Sequence, residues 1–311
     1  MNYRQASFKR LFTRFRRAPP TIRPIELDFS AAIPFDYHPA AHTSALGLAV
    51  ICHIFYADMV AEFGRYLQNI PFPFDLFIST DTESKEAVIR RFFANWMKGS
   101  IDIRLVKNQG RDIAPKFVSF RDVYSSYEYV LHLHSKRSDH AGFLANWRGF
   151  LLNNLIGSTD IVNSIFAAFS HCPRLGIIAS QHFEPIRPFI NWGANFEISS
   201  KLANRMGITL RLNHALDFPS GSMFWARSAA LKPLVELNLT FDDFPSECGQ
   251  LDGTLAHAVE RLSYFVCERA GFRWIKVSHP KLFNQTGAIV RIEGPSSLDR
   301  FLAEKTPTLI A

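Results

Sequence analysis

The sequence predicts an α/β fold, a Rossmann-related and mostly parallel sheet flanked by helices. Three observations carry that expectation. From Ala45 to Leu133, apolar runs alternate with stretches of helical period, strand and helix by turns, and such alternation builds a parallel sheet through right-handed crossovers. The first run, Ala45 to Ile54 (ALGLAVICHI), is continuously apolar, as expected of a strand buried on both faces. The chain has 311 residues, is 47% hydrophobic and contains 29 Phe, enough for one large aromatic-rich core or two modest ones.

Taken in order, Met1 to Pro20 holds Arg4, Lys9, Arg10, Arg14, Arg16 and Arg17 with no acidic residue among them, and Phe8, Leu11, Phe12 and Phe15 fall at helical spacing. This is either a basic amphipathic helix able to lie on an anionic membrane surface or a solvated N-terminal arm. Pro19 to Pro39 is dotted with proline and reads as an extended linker. After the strand at Ala45 to Ile54 comes a helix over Ala57 to Asn69, then a strand over Phe74 to Ser79. The next helix carries Val88, Ile89, Phe92, Phe93, Trp96 and Met97 on one face, with Thr80 and Glu83 as its capping box. Ile101 to Val106 is a strand, a short helix starts near Pro115, and Tyr127 to Leu133 is a strand.

Helices follow over Phe143 to Ile156 and Ile161 to Phe169, and a short strand over Leu175 to Ala179. Gln181 to Gly207 is irregular and aromatic. Gly221 to Ala226 reads as a strand and Ala229 to Leu237 as a helix broken by Pro233. Thr254 to Arg269 is a well-marked helix with Gly271 where its C-terminal cap belongs. Arg273 to Val277 is the last strand, and the tail from Gly287 has no pattern. This divides the chain into an arm and linker (1–44), a main domain (45–285) and a C-terminal tail (286–311).

A net charge of +7 and a pI near 9.3 attract phosphates, anionic lipid or nucleic acid without choosing among them. No basic, aromatic-interleaved recognition motif is present, which speaks against nucleic acid as a partner. The four cysteines, Cys52, Cys172, Cys248 and Cys267, have no metal-ligand spacing and read as buried thiols in a reducing compartment. The start lacks the apolar segment of a signal peptide, and no run approaches the ~20 apolar residues of a membrane span. A cytoplasmic protein is expected.

Ligands of open parallel α/β sheets bind outside the carboxyl ends of the strands, so the polar turns there are the first candidates for a site. Asn108-Gln109-Gly110-Arg111-Asp112 follows a strand and precedes a helix. Gly110 permits a tight turn and close backbone approach, and Arg111 offers a planar fork suited to phosphate. Asp112 either accepts hydrogen bonds from a ribose or caps the helix. His132, His134, Lys136 and Arg137 lie on and just after the next strand, with both histidines on one face. A structural or hydrogen-bonding role suits His132 better than metal ligation. Lys136 and Arg137 either meet a phosphate at the strand end or form a solvated basic turn. Glu247 and Asp252 stand before the long helix. There Asp252 is either a helix cap or a carboxylate held ionised by the helix dipole, ready to act as a general base. Glu260 and Arg261 read as decorating that helix's exposed face.

The turn NQGRDIAP, the strand end LHLHSKRS, the strand GSMFWAR and the segment ECGQLDGTLAHAVERL together resemble the rhamnan synthesis F family of bacterial polysaccharide enzymes. The resemblance covers roughly Leu46 to Val277, and the opening strands look like a GT-A glycosyltransferase fold. It implies transfer of a sugar, with L-rhamnose a candidate, from a nucleotide-diphosphate donor to a growing glycan that is lipid-linked at the inner face of the cytoplasmic membrane. It also leaves room for a non-catalytic sugar-nucleotide- or glycan-binding assembly protein of the same pathway. Carried onto GT-A geometry, His53 and Asp81 lie at the first two strand ends, near the nucleoside, and Arg111 and Asp112 at the third. Asp252 takes the place of an inverting enzyme's base, and His279 that of a metal-binding histidine in some relatives. GT-A enzymes commonly hold Mg2+ or Mn2+ on an Asp-x-Asp pair after the fourth strand. This chain has His132-Leu133-His134 there, which leaves the metal in question and puts Lys136, Arg137 or Arg111 forward to meet the departing diphosphate.

Overall fold

The structure, a computed structural model, describes residues 23–38, 47–135, 142–247, 252–282 and 288–310. Along the chain lie β1 (Ser30–Ala32), β2 (Leu48–His53), α1 (Val60–Leu67), β3 (Asp75–Thr80), α2 (Glu83–Phe92), β4 (Ile101–Leu105), α3 (Val123–Ser126), β5 (Tyr129–His134), α4 (Trp147–Ile156), α5 (Thr159–His171), β6 (Leu175–Ser180), α6 (Phe196–Arg205), β7 (Phe224–Arg227), α7 (Ser228–Val235), α8 (Leu255–Arg269), β8 (Arg273–Ser278), β9 (Ile289–Val290) and α9 (Pro295–Glu304). The strands form a nine-stranded sheet in the order β4-β3-β2-β5-β7-β6-β8-β1-β9. Every neighbouring pair is parallel except the two made by β7. The expected α/β, Rossmann-related architecture is therefore present.

Two features of this topology position the site. The chain steps outward from β2 to β3 to β4, then returns to place β5 on the other side of β2. That reversal opens a crevice at the carboxyl ends of β2 and β5. Both strands are buried along their whole length, and their last residues, His53 and His134, are register partners. The second feature is β7. Because it runs against its neighbours, its first residue, Phe224, pairs with His132 and Ala179 near the carboxyl ends of β5 and β6. The turn that precedes it, Gly221-Ser222, therefore lies on the same edge as the ends of the parallel strands.

Several sequence expectations shift. The sheet extends beyond the boundaries drawn at 45 and 285, since β1 falls inside the supposed linker and β9 inside the supposed tail. β1 sits between β8 and β9, and strands of three and two residues are too short to show a period. The helix expected to run on to Met97 ends at Phe92. Its buried side holds Ile89, followed by Phe93, whereas Val88, Phe92 and Met97 are exposed. Its cap is Thr82, whose Oγ1 accepts from Lys85 N at 3.4 Å, and not Thr80, whose hydroxyl donates to Ile54 O. The supposedly irregular 181–207 stretch contains α6. Cys52, Cys172 and Cys267 are unpaired thiols; Cys248 lies outside the described residues, as do Met1 to Pro20.

Candidate functional site

The turn after β4 is shaped by its glycine. Gly110 has φ +71° and Arg111 φ +55°, a left-handed pair. A Cβ on Gly110 would stand 2.5 Å from the Ala114 Cβ and 2.8 Å from the Phe244 ring, so no other residue fits. Gln109 ties the turn to the 244–247 segment by a bridge to Ser246 and by its Nε2, which donates to Phe244 O. Arg111 N donates to Glu247 Oε1 at 3.0 Å.

Beneath the turn lies a buried charge. Lys116, on the short π-helical turn Pro115–Ser119, is 0% exposed. Its Nζ donates to Asp112 Oδ2 at 2.5 Å and to Ser222 O at 2.7 Å. His134 Nε2 donates to Gly221 O at 2.6 Å and stands 3.9 Å from Asp112 Oδ2. Gly221 N donates in turn to Glu260 Oε1 at 2.9 Å. Gly221 (φ +88°) and Ser222 (φ +57°) form a second left-handed pair. Two strained turns from distant parts of the chain are thus held together by one lysine, one histidine and two carboxylates. Backbone strain of this kind persists only where the surroundings over-determine it, and it concentrates at functional sites.

Arg111, Asp112, His134, Gly221, His257 and Glu260 enclose a pit of about 40 Å³. That is water-sized, so these residues form the floor of a site and not a nucleotide cavity. His257 is oriented by Thr254, whose Oγ1 lies 2.8 Å from its Nδ1.

His53, His132 and His257 are held neutral. Burial lowers His53 to about 4; Asp112 pulls the other way and Lys116 adds a smaller lowering. Burial lowers His132 well below the usual range. Burial, then Arg111 and Arg261, lowers His257 to about 3. Asp252 goes the other way: burial favours its neutral form, but Arg261, Asn195 and the Ala194 N–H outweigh it and hold the carboxyl below its ordinary value.

Of the residues expected in the site, Arg111, Asp112 and His134 come together at the pit. Glu247 is joined to it through Arg111 N. His53 lies one strand away, its Nδ1 2.9 Å from Ser79 Oγ. Asp81 follows β3 and pairs with Lys85 at 2.5 Å, and Asn108 is exposed on the turn. Asp252 stands beside the 191–195 loop, where Oδ1 accepts from Asn195 Nδ2 at 2.6 Å and Oδ2 from Ala194 N at 3.1 Å. Lys136 and Arg137 lie outside the described residues. His279 follows β8, three strands beyond β5 and so about 14 Å from it by sheet spacing. Its Nδ1 accepts from Lys281 N.

Glu260 and Arg261 do not decorate an exposed face. Glu260 turns to Gly221 N, and Arg261 is buried, donating to Asn191 O and His257 O with its guanidinium 5.2 Å from the Phe218 ring. Lys116 and the Gly221-Ser222 turn were not anticipated. The i,i+4 spacing of Asp112 and Lys116 was the available signal for the lysine.

The described residues do not fit the divalent ion that a GT-A fold would suggest. No group of three His, Cys, Asp or Glu among them could hold a metal. At the expected position, His132 Nε2 is 2.9 Å from the Tyr124 hydroxyl inside the core, and His134 Nε2 is taken by Gly221 O.

Comparison with known proteins adds a family. The family model described as rhamnan synthesis protein F matches residues 29–272, from just before β1 to just before β8. Two curated proteins from different strains of Xanthomonas campestris pv. campestris, both named "Uncharacterized protein WxcX", are each 36% identical over 230 residues. The match covers 72% of this chain and 32% of theirs, so the chain spans about a third of the length of those relatives.

Proposed function

The chain belongs to the rhamnan synthesis protein F family, and on that premise we propose that it is a glycosyltransferase of the GT-A type. It moves a sugar from a nucleotide-diphosphate donor onto a growing cell-surface polysaccharide. Membership itself implies a part in rhamnan or polysaccharide synthesis; donor, transfer and acceptor are our reading. One observation carries it: at the strand-order reversal between β2 and β5, the Gly110-Arg111 turn, the Gly221-Ser222 turn and the start of α8 meet around a charged, hydrogen-bonded floor. A reversal of this kind is where α/β sheets receive nucleotides, and a left-handed glycine turn allows a diphosphate close to the backbone.

In this reading the diphosphate lies over the Gly110-Arg111 turn, with Arg111 meeting its charge and Lys136 and Arg137 sharing it. The nucleoside lies toward His53 and Asp81. The acceptor hydroxyl attacks the anomeric carbon, the carbon–oxygen bond to the diphosphate breaks with inversion, and the hydroxyl proton passes to a base. The sequence expectation for that base is Asp252, with Glu247 beside it. The residues present meet the leaving group with positive side chains, and no step runs through a metal. L-rhamnose remains the candidate sugar. A lipid-linked acceptor at the inner face of the cytoplasmic membrane, approached through the basic arm, completes the proposal. Among the described residues no helix is long and apolar enough to cross a membrane.

The test is thermal stabilisation by UDP, dTDP and GDP and their sugars, with Mn2+ or with EDTA. We expect saturable stabilisation by one nucleoside diphosphate, unchanged by EDTA and weakened at least about tenfold in affinity by Arg111→Gln. No response to any of the three sinks the reading. The histidines in place of an acidic pair favour one rival, a non-catalytic sugar-nucleotide- or glycan-binding assembly protein, which binds without release of nucleoside diphosphate.

A further inference from the structure

We propose that His257 takes the acceptor's proton, through Nε2, and that Asp252 is a positioning residue for the turn that leads into α8. The inference rests on the glycosyl-transfer reading and names the base within it.

Four observations place His257 in this role. It sits in the first turn of α8 and lines the pit with Arg111, Asp112, His134 and Glu260. Its side chain is held from behind, since Nδ1 lies 2.8 Å from Thr254 Oγ1. With the proton on Nδ1, Thr254 Oγ1 accepts it and Nε2 presents a lone pair. The hydrogen bond seen on the ring among the described residues is at Nδ1, which leaves Nε2 unengaged, and the residue as a whole is only 8% exposed. A buried imidazole oriented on one side and unengaged on the other is the arrangement a general base requires.

Asp252 is differently placed. Its two oxygens receive Asn195 Nδ2 and Ala194 N, and Arg261 Nη2 stands 3.6 Å from Oδ1. Asn195 Oδ1 accepts in turn from Gly253 N at 3.0 Å. These contacts fix the 252–254 turn against the 191–195 loop, and with it Thr254, the residue that orients the imidazole. They also lower the carboxylate's affinity for a proton.

The charged and titratable groups around His257 are Arg111 and Asp112 from the turn after β4, His134 from β5, Asp252 from the turn before α8, and Glu260 and Arg261 from α8 itself. Arg111 and Arg261 oppose a further positive charge, so the free ring is neutral at pH 7. A diphosphate bound at Arg111 offsets that guanidinium and raises the ring's proton affinity in the complex. In the transfer step the acceptor O–H proton moves to Nε2 as the acceptor oxygen bonds to the anomeric carbon. The electron pair of the broken bond leaves on the diphosphate oxygen, and the imidazolium then returns its proton to water.

The experiment follows nucleoside diphosphate release by the full chain from dTDP-L-rhamnose, UDP-glucose and GDP-mannose, with octyl rhamnoside or water as acceptor. Thermal stabilisation by dTDP, UDP and GDP is measured alongside. For His257→Gln we expect turnover to fall on the order of a hundredfold to ten-thousandfold, with nucleoside diphosphate stabilisation retained and the acid limb of the pH–rate profile gone. Imidazole added to His257→Ala restores part of the rate, which a purely structural role would not allow. For Asp252→Asn the rate falls but the acid limb stays. Turnover of His257→Gln within about threefold of wild type, or loss of the acid limb in Asp252→Asn and not in His257→Gln, overturns this inference alone. Absence of release by the wild-type protein from every donor overturns the transferase reading, and this inference with it.

Discussion

Lys116 shows how much a single residue at the floor of the site is asked to hold. Taking an ammonium fully out of water costs several kcal/mol, and pairing recovers it only with good geometry and further hydrogen bonds. Here the pairing is Asp112 Oδ2 at 2.5 Å and the further bond is Ser222 O at 2.7 Å. Removing the cation takes its ion-pair partner from Asp112, a carboxylate only 14% exposed, and takes the lysine's hydrogen bond from Ser222 O. Lys116→Met should therefore cost about 3 kcal/mol in urea denaturation. Adding Asp112→Asn should return part of that loss, with a coupling above about 1 kcal/mol in the double-mutant cycle. A single-variant cost below about 1 kcal/mol would mean that water reaches the pair. The Asp112–Lys116 spacing was visible in the sequence, and so was the need for a glycine at 110. The burial of Lys116 was not, because it depends on a carbonyl 106 residues further along the chain. Glu260 and Arg261 were misplaced for the same reason: a charged residue on a helix is expected to face water unless its internal partners are known.

At the scale of elements, the apolar runs located the long strands, and their alternation with helices gave the parallel sheet. What could not be read was which part of a broad apolar arc on a helix faces inward. α2 is the example, with Ile89 buried and Val88 and Phe92 exposed. Helix starts were also missed where a polar cap precedes the apolar period. The sequence begins α5 at Ile161, yet the helix starts at Thr159, capped by Ser158, whose Oγ accepts from Ile161 N at 3.3 Å. Ser158→Ala should cost about 1 kcal/mol and Ser158→Gly only a few tenths, measured as shifts in the denaturation midpoint at unchanged slope. Equal losses for the two would show that the side-chain oxygen contributes nothing. α8 was legible as a helix, but its environment was not. It packs against both α6 and α7, so its polar side chains must find partners inside the protein, and His257 and Arg261 do.

At the scale of the whole molecule, the carboxyl edge of the sheet carries two buried polar systems. One is the site floor. The other joins Lys276 on β8 to Asp28 and, at 2.7 Å, to Asp217, with His182 Nε2 3.0 Å from Asp217 and Arg187 on Asp28. It ties the segment before β1, the end of β6 and the 217–220 loop to β8. The buried histidines in and behind the site floor and the carboxylates of the second system respond to acid in different windows. His53 and His257 have folded-state values lowered to about 4 and about 3, and His132 lies well below the usual imidazole range, each chiefly by burial. A histidine in the unfolded chain takes up a proton below about pH 6.5, while these three remain neutral. Their stabilising contribution is therefore complete above pH 6.5 and is lost as the pH falls toward their folded values, by up to about 1.4 kcal/mol per pH unit for each. Asp28 and Asp217 are also lowered; burial is the largest influence and opposes the shift, but Lys276 and His182, with the hydrogen bonds to these carboxylates, together outweigh it. Their contribution is present above the unfolded carboxyl value, about 3.9, and is lost only below it. Urea denaturation at pH 7.5, 6.0, 5.0 and 4.5 should accordingly show a decline that begins near pH 6.5, well above the range in which Asp28 and Asp217 contribute. His53→Gln should make that decline shallower by about 1 kcal/mol per pH unit. A stability that stays flat from pH 7.5 to 4.5 would show that these imidazoles are not kept neutral, and that the floor of the site is open to water.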